Sequence, residues 1–401
     1  MYRPMPLANQ VFSISPYTQA SLSRAEVRTA SIDARAEASG AAAALSRALA
    51  RTEALSSIRI EGLKPSVSSL FFLEALLDDA DDGADRLDAL DVFDFEDADA
   101  KRAAVESMRY VRALTYIYEE LDPAAPLTPA VILDIHSIAE YGVRKGARNA
   151  RFRRAPYHLA TEGPTAPYRP PDPAEVGPLM DDLCDFINRD IYSPIAQAAL
   201  AHFQFEQIKP FKSGLDKTGR LMCHAIFRRR GLVGRVVAPI GLAPAVDTKS
   251  HAESLLPYHA PSEPLDRATA VDQWVGFCAR AAEISSKAAD VYLNALGQLR
   301  RTWQEVLGKV SRHSTTDALL DALAMSPALT ARHAAAMTGK SLSSVSEALR
   351  RLEAAGIVTI DDHPRKGHVY TAPLSLAMLD HIDRLVSPEV PVSRDSFFRN
   401  S

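Results

Sequence analysis

Cysteine is scarce in this chain. Its three residues, Cys184, Cys223 and Cys278, are far apart and odd in number, which argues against a disulfide framework and against the paired spacing of zinc sites. A reducing cytoplasm fits that usage. Long apolar runs are missing as well: no stretch reaches the roughly eighteen unbroken apolar residues of a membrane helix. The opening MYRPMPLANQ lacks the charged-then-apolar order of a secretory leader, so neither membrane insertion nor export is expected. Nor is there a surplus of charge. A net −4 over 401 residues leaves no global basic field for nucleic acid, and any DNA contact must come from a local patch. What the chain has is 47% hydrophobic content, ample for two or three domains.

The most informative stretch runs from 196 to 231, AQAALAHFQFEQIKPFKSGLDKTGRLMCHAIFRRRG. Ala198, Ala201, Phe205 and Ile208 recur at helical spacing, and Pro210 ends that helix near Lys209. A polar loop with two glycines follows, then a second helix whose first N–H groups lack intrahelical acceptors. With Lys217 and Arg220 three apart at that helix start, the loop is a candidate phosphate cradle. The alternative is a solvated Lys-rich loop between two core helices.

This stretch resembles the core motif of the Fic (Fido) family, His-Pro-Phe-x-Asp/Glu-Gly-Asn-Gly-Arg-x-x-Arg between two helices. Pro210, Phe211, Gly214 and Arg220 match it. Lys209 stands at the catalytic His, Ser213 at the metal-binding carboxylate, and Leu215, Asp216 and Lys217 replace Asn, Gly and the first Arg. The resemblance implies an all-α Fic fold with a small β-hairpin flap, and transfer of AMP from ATP to a protein hydroxyl. It places a nucleoside triphosphate, ATP first, against Gly214, Asp216, Lys217, Thr218, Gly219 and Arg220, with Lys209 in the catalytic position. Lysine ordinarily titrates near ~10.4 and is no base at neutral pH. Its role is then to orient phosphate, or to act as a base if Lys212, Lys217 and Arg220 push its pKa down by roughly three units. Ser213 is a poor ligand for magnesium, no metal-binding residue is assigned, and Asp216 is the one displaced candidate. The expected function is thus a Fic-like protein whose transfer is unconventional or lost while phosphate binding persists.

Upstream, EALSSIRIEG at residues 53–62 resembles the family's inhibitory motif, Ser/Thr-x-x-x-Glu-Gly/Asn, with Ser57, Glu61 and Gly62 in place. Gly62 stops a helix whose last turn holds Glu61, a carboxylate set against the helix dipole. In the family its partner is the motif's second Arg, here Arg220, and the pair blocks seating of the γ-phosphate. A bare surface charge before a turn is the other reading. Residues 146–173, with Phe152 and Arg153, resemble the family's Gly-x-Phe-Arg region and the flap after it, which clamps a target peptide by β-augmentation. His136 reads as a packed histidine. The Asp-rich run from 78 to 99 reads as a solvated edge.

Elsewhere helical spacing predicts one or two helices over 21–55, helices over 66–76, 101–121 and 178–187, one entering at Thr128-Pro129, one around Trp274 and one over 281–307. From 315 to 373 three helices and two β-rich pieces resemble a winged helix-turn-helix, with Gly339 between helices two and three. For DNA, Ser343, Ser344, Ser346 and Arg350 would face the groove and Arg365, Lys366 and His368 the phosphates. A packing or dimerisation module is the alternative, and a homodimer stays open. The expected domains are a helical segment with the inhibitory helix at 1–100, the Fic core at 101–300, the winged helix at 310–375 and a tail at 376–401. The rival function is a ligand-responsive DNA-binding regulator. A third is a scaffold that binds a protein partner along 146–173.

Overall fold

The structure is a computed structural model, described at residues 4, 6–77, 97–144, 151–157, 170–246, 267–363 and 367–381. By internal contacts the chain forms two compact units, Met1–Asp33 with Arg109–Ser286, and Ala34–Met108 with Lys287–Ser401. Three long helices contribute residues to both: α1 (Pro16–Ser39), α4 (Ala98–Thr115) and α10 (Arg267–Leu307). The stretch around Trp274 and that over 281–307 were expected as separate helices but form one, since no proline and no turn sequence interrupts residues 267–307.

The first unit is built on α5 (Pro129–Tyr141), α6 (Pro173–Asn188), α7 (Pro194–Ile208) and α8 (Leu215–Arg229), with a short α9 (Leu242–Val246) beyond. Helix α7 packs along both α6 and α8, and α5 packs on α8. Their shared core is large and apolar: Phe186, Phe205, Ile208, Leu221 and Ile226 are all fully buried, each contributing about 1.5–3 kcal/mol of transfer free energy. Helix α5 starts as its sequence dictates, Thr128 Oγ1 accepting from Val131 N at 3.4 Å with Pro129 in the first turn. Helix α6 begins at Pro173, five residues ahead of the expected Pro178, because Glu175 Oε2 accepts from the Asp172 N–H at 2.8 Å and closes an earlier start.

The second unit holds α2 (Ala42–Ile60), α3 (Val67–Leu77), α11 (Thr315–Met325), α12 (Ala331–Thr338), α13 (Leu342–Ala354) and α14 (Pro373–Asp380). Its sheet joins β1 (Ala328–Thr330), β2 (Thr359–His363) and β3 (Gly367–Thr371) in the order β1-β3-β2, both pairings antiparallel. Tyr370 is the register residue, facing Leu329 on one side and Ile360 on the other. Ser314, Thr330 and Ser341 cap the three helices of the winged helix through their hydroxyls. Gly339 ends α12 at φ +64.

Helices α2 and α3 pack on winged-helix elements, α2 on α11 and α3 on β1 and α14. Helix α3 explains this: Val67, Leu70, Phe71, Leu73 and Leu76 are all buried, and so broad an apolar surface needs cover from more than one neighbour. On α3 itself Glu74 pairs with Arg47 and Arg51 of α2 at 3.0 and 2.9 Å. The expected tail from 376 begins inside α14, and its remainder from 382 lies outside the described residues. Among the described residues no helix is long and apolar enough to cross a membrane.

Candidate functional site

Lys209 ends α7 in the left-handed region, φ 49 and ψ 57, a conformation that costs a non-glycine residue about 1–2 kcal/mol. Arg153 is what holds it. The buried guanidinium donates from Nε to Lys209 O at 2.7 Å, and from its two terminal nitrogens to Ile208 O at 3.4 Å, Pro171 O at 2.5 Å and Ala155 O at 3.1 Å. The Arg153 N–H also donates to Pro210 O at 2.9 Å. Arg153 therefore acts on the loop as a brace and not as a ligand. Phe211 anchors the other side of the turn, stacked on His136 with ring centroids 3.6 Å apart and packed on Phe152 and Phe205. His136 is packed as expected, with Nδ1 3.0 Å from Thr218 Oγ1.

The turn delivers the chain into α8 through Gly214, at φ +62. A side chain there would be strained and would collide with the Glu140 carboxylate. Gly219 serves a different need: a Cβ on it would lie 2.6 Å from His202 Cδ2, so its bareness lets α8 close on α7. Thr218 is fully buried and donates to Gly214 O at 2.6 Å. Lys217, 2% exposed, is tied to Glu140 at 2.9 Å. Burial works against ionising Glu140, but the bond to Lys217, its charge, and a further bond to Ser213 hold the carboxyl below its ordinary value. Of the phosphate-binding residues expected from sequence, Thr218 and Gly219 thus shape the loop and Lys217 is already paired. Arg220 lies in the field of Asp216, and the start of α8 and the exposed Lys212 and Ser213 border the loop.

Lys209 is buried and its Nζ sits 2.9 Å from Glu206 Oε2. Burial alone would lower its pKa, but the charges and bonds of Glu206, with Asp216 and Tyr157 behind, raise it. The direction of this shift lends no support to the depressed-pKa base considered from sequence: Lys217 is spent on Glu140 while Lys209 faces acids. Glu206 lies in an acid cluster that sequence reasoning passed over. Burial and the Asp216 carboxylate push it up to about 7, with Lys209 pulling the other way. Desolvation works against ionising Asp216, but the charges of Arg220 and Lys209 and a hydrogen bond with Glu206 hold its carboxyl below the ordinary value. Glu206 Oε1 is also 3.8 Å from His202 Nε2. The available signal was the spacing: Glu206 precedes Lys209 by three and follows His202 by four, one helical face.

Magnesium does not fit these residues. Glu140 and Glu206 are paired with Lys217 and Lys209 at 2.9 Å, and a divalent ion would have to displace those lysines to use their carboxylates.

Ser57, Glu61 and Gly62 belong to the second unit. Ser57 is fully buried, its Oγ donating to Glu53 Oε1 at 3.4 Å, a packing role. Glu61 is exposed and caps α2 at φ −78, followed by Gly62 at φ +86, one residue beyond the expected last turn. Most of the flap stretch, at 145–150 and 158–169, lies outside the described residues, as do 78–96 and the wing residues Arg365 and Lys366. On α13, Ser343, Ser344 and Arg350 are exposed, with Ser346 partly so. His368 on β3 is exposed too, edge-on to Tyr370 at 6.4 Å.

Residues 126–227 match the model of the Fic/DOC family, and residues 318–367 that of the MarR family. The chain is 29% identical over 122 residues to the protein adenylyltransferase Fic of Drosophila willistoni, across 30% of this chain and 23% of that one. It thus spans less than a quarter of that relative's length. Among solved structures, a Fic family protein from Desulfovibrio desulfuricans G20 aligns with 93% of this chain and 98% of its own at 17% identity, TM-score 0.49. The chain thus carries one stretch that matches the Fic/DOC model and one that matches the MarR model, on an all-α framework with one small sheet.

Proposed function

We propose that the loop at 209–220 binds a nucleotide or another phosphate ligand and does not transfer it by the base mechanism of the relatives. One observation carries this reading: the side chain in the base position, Lys209, is a buried ammonium paired with Glu206 at 2.9 Å, its pKa raised. The relative's name, protein adenylyltransferase, denotes transfer of AMP to a protein, and that step needs a group to take the hydroxyl proton. An ammonium held in an ion pair has no lone pair to offer.

Binding is supported by the uncapped start of α8. Gly214 supplies no side-chain cap, so the first N–H groups are available to an oxyanion, with Arg220 one turn in. Asp216 is the internal competitor, because its carboxylate occupies the field of Arg220. Asp216→Asn is therefore expected to tighten binding of ADP severalfold.

The test is titration calorimetry with ADP and ATP, with and without magnesium, beside transfer of α-labelled ATP to the protein and to lysate proteins. Binding that is independent of magnesium, tightened in Asp216→Asn, with no label in the wild type or Glu61→Gly, is the expected result. Label that appears in Glu61→Gly and vanishes in Lys209→Ala would overturn it.

A second reading has its own support in the match of 318–367 to the MarR family and the exposed Ser343, Ser344 and Arg350 of α13. In it the winged helix reads DNA and the loop serves as its sensor. Salt-dependent binding of DNA fragments that changes with ADP is the expected signature. DNA binding absent at low salt would remove it.

A further inference from the structure

Glu206 lies just before the loop, in the last turn of α7, and its side chain reaches forward to the loop's first cation. Its Oε2 sits 2.9 Å from Lys209 Nζ. The lysine is 8% exposed, and its ammonium stands 6.0 Å over the Tyr157 ring. Whatever charge Lys209 offers a ligand is therefore offered in competition with one carboxylate.

A second carboxyl meets that one. Asp216, in the first turn of α8, shares a hydrogen bond with Glu206, and two carboxyls can do so only with a proton on one of them, since an ionised carboxylate is an acceptor alone. The neighbours decide which. Asp216 has the charges of Arg220 and Lys209 to hold it ionised. Glu206 has burial and the Asp216 charge against its ionisation, and Lys209 for it. The proton of the pair accordingly goes to Glu206. His202, one turn back on α7, faces the same carboxyl, its Nε2 3.8 Å from Glu206 Oε1.

The two states of Glu206 leave Lys209 in different conditions. Ionised, the carboxylate neutralises the ammonium in a charge-assisted bond; protonated, it offers only a neutral oxygen, and the ammonium keeps its full charge for another acceptor. We propose that Glu206 is a positioning residue for the loop's ligand, withholding Lys209 from phosphate while ionised and yielding it on taking a proton, so that the loop holds anions more tightly in mild acid than in mild base. This role rests on the phosphate-binding reading of the loop and adds to it what sets the affinity.

The test is titration calorimetry of the full chain without magnesium at pH 6 and pH 8. The probe is the analogue of ADP with a terminal thiophosphate, whose charge changes little over this range. Wild type is expected to bind it about tenfold more tightly at pH 6. Glu206→Gln is expected to bind equally at both, and at pH 8 to exceed wild type about tenfold. His202→Asn should keep the wild-type dependence, which assigns it to the carboxyl and not to the imidazole. Circular dichroism melts establish that each variant is folded, and the wild-type comparison needs no variant. Equal wild-type affinity at the two pH values, a dependence that persists in folded Glu206→Gln, or one that is lost in folded His202→Asn would overturn this role and leave the phosphate-binding reading standing. No binding at either pH would remove both.

Discussion

Replacing Arg153 by leucine is expected to destabilise the first unit by about 3–5 kcal/mol, and to do so through the turn at Lys209. The guanidinium spans four carbonyls, with contacts of 2.7 Å to Lys209, 2.5 Å to Pro171, 3.1 Å to Ala155 and 3.4 Å to Ile208. Hydrogen bonds from a charged donor contribute about 1.5–3 kcal/mol each, and a buried acceptor left without one costs about 1–3 kcal/mol. The four are not additive, since one cation serves them all, and the longest contributes little. Two well-made bonds therefore set the scale. The Arg153 N–H to Pro210 O survives the substitution, which keeps the segment attached while its brace is gone. Lys209 is then freed to leave its left-handed conformation, recovering about 1–2 kcal/mol. Urea unfolding followed by circular dichroism gives the total. A double-mutant cycle with Lys209→Gly gives the route: glycine bears the left-handed turn without strain, so the two losses should fall short of or exceed additivity by about 1 kcal/mol. A loss below about 1 kcal/mol, or strict additivity with Lys209→Gly, would refute the claim that Arg153 holds the turn.

Three further outcomes are expected. Glu206, pushed up to about 7, binds its proton more tightly folded than unfolded, so its contribution to stability is full below the ordinary glutamate value and is lost as pH rises through about 7. Wild type should lose up to roughly 3 kcal/mol along that leg, while Glu206→Gln should show a flatter profile in melts between pH 4 and 8. Gly219→Ala drives a methyl group into His202 and should cost about 1–3 kcal/mol while weakening ADP binding, as measured by denaturation and calorimetry. Glu74→Gln leaves Arg47 and Arg51 without their carboxylate, and the second unit should lose about 3–5 kcal/mol in a urea titration.

Much of this protein is local enough to be read along the chain. The end of α7 at Pro210, the Thr128 cap of α5, the buried run of α3 and the Gly339 turn all rest on residues within a few positions of one another, where periodicity, caps and φ preferences act directly. The replacement of His by Lys and of a carboxylate by Ser at the motif is likewise a matter of order and spacing. Sequence spacing also misled in places. A long helix over 267–307 and an earlier start for α6 were missed, the first because nothing local marks the middle of a continuous helix, the second because a capping pair outweighed a proline.

What the sequence by itself determined, then, is which residues stand at the loop and that a winged helix follows. The electrostatic state of that loop was decided only in three dimensions. Lys209 stays a cation because Glu206 faces it, Lys217 is withdrawn because Glu140 on a different helix reaches it, and the left-handed turn persists because Arg153, 56 residues away in sequence, holds its carbonyl. A chain order cannot fix these, since a pKa depends on distance and burial, and both are set by which helices pack together.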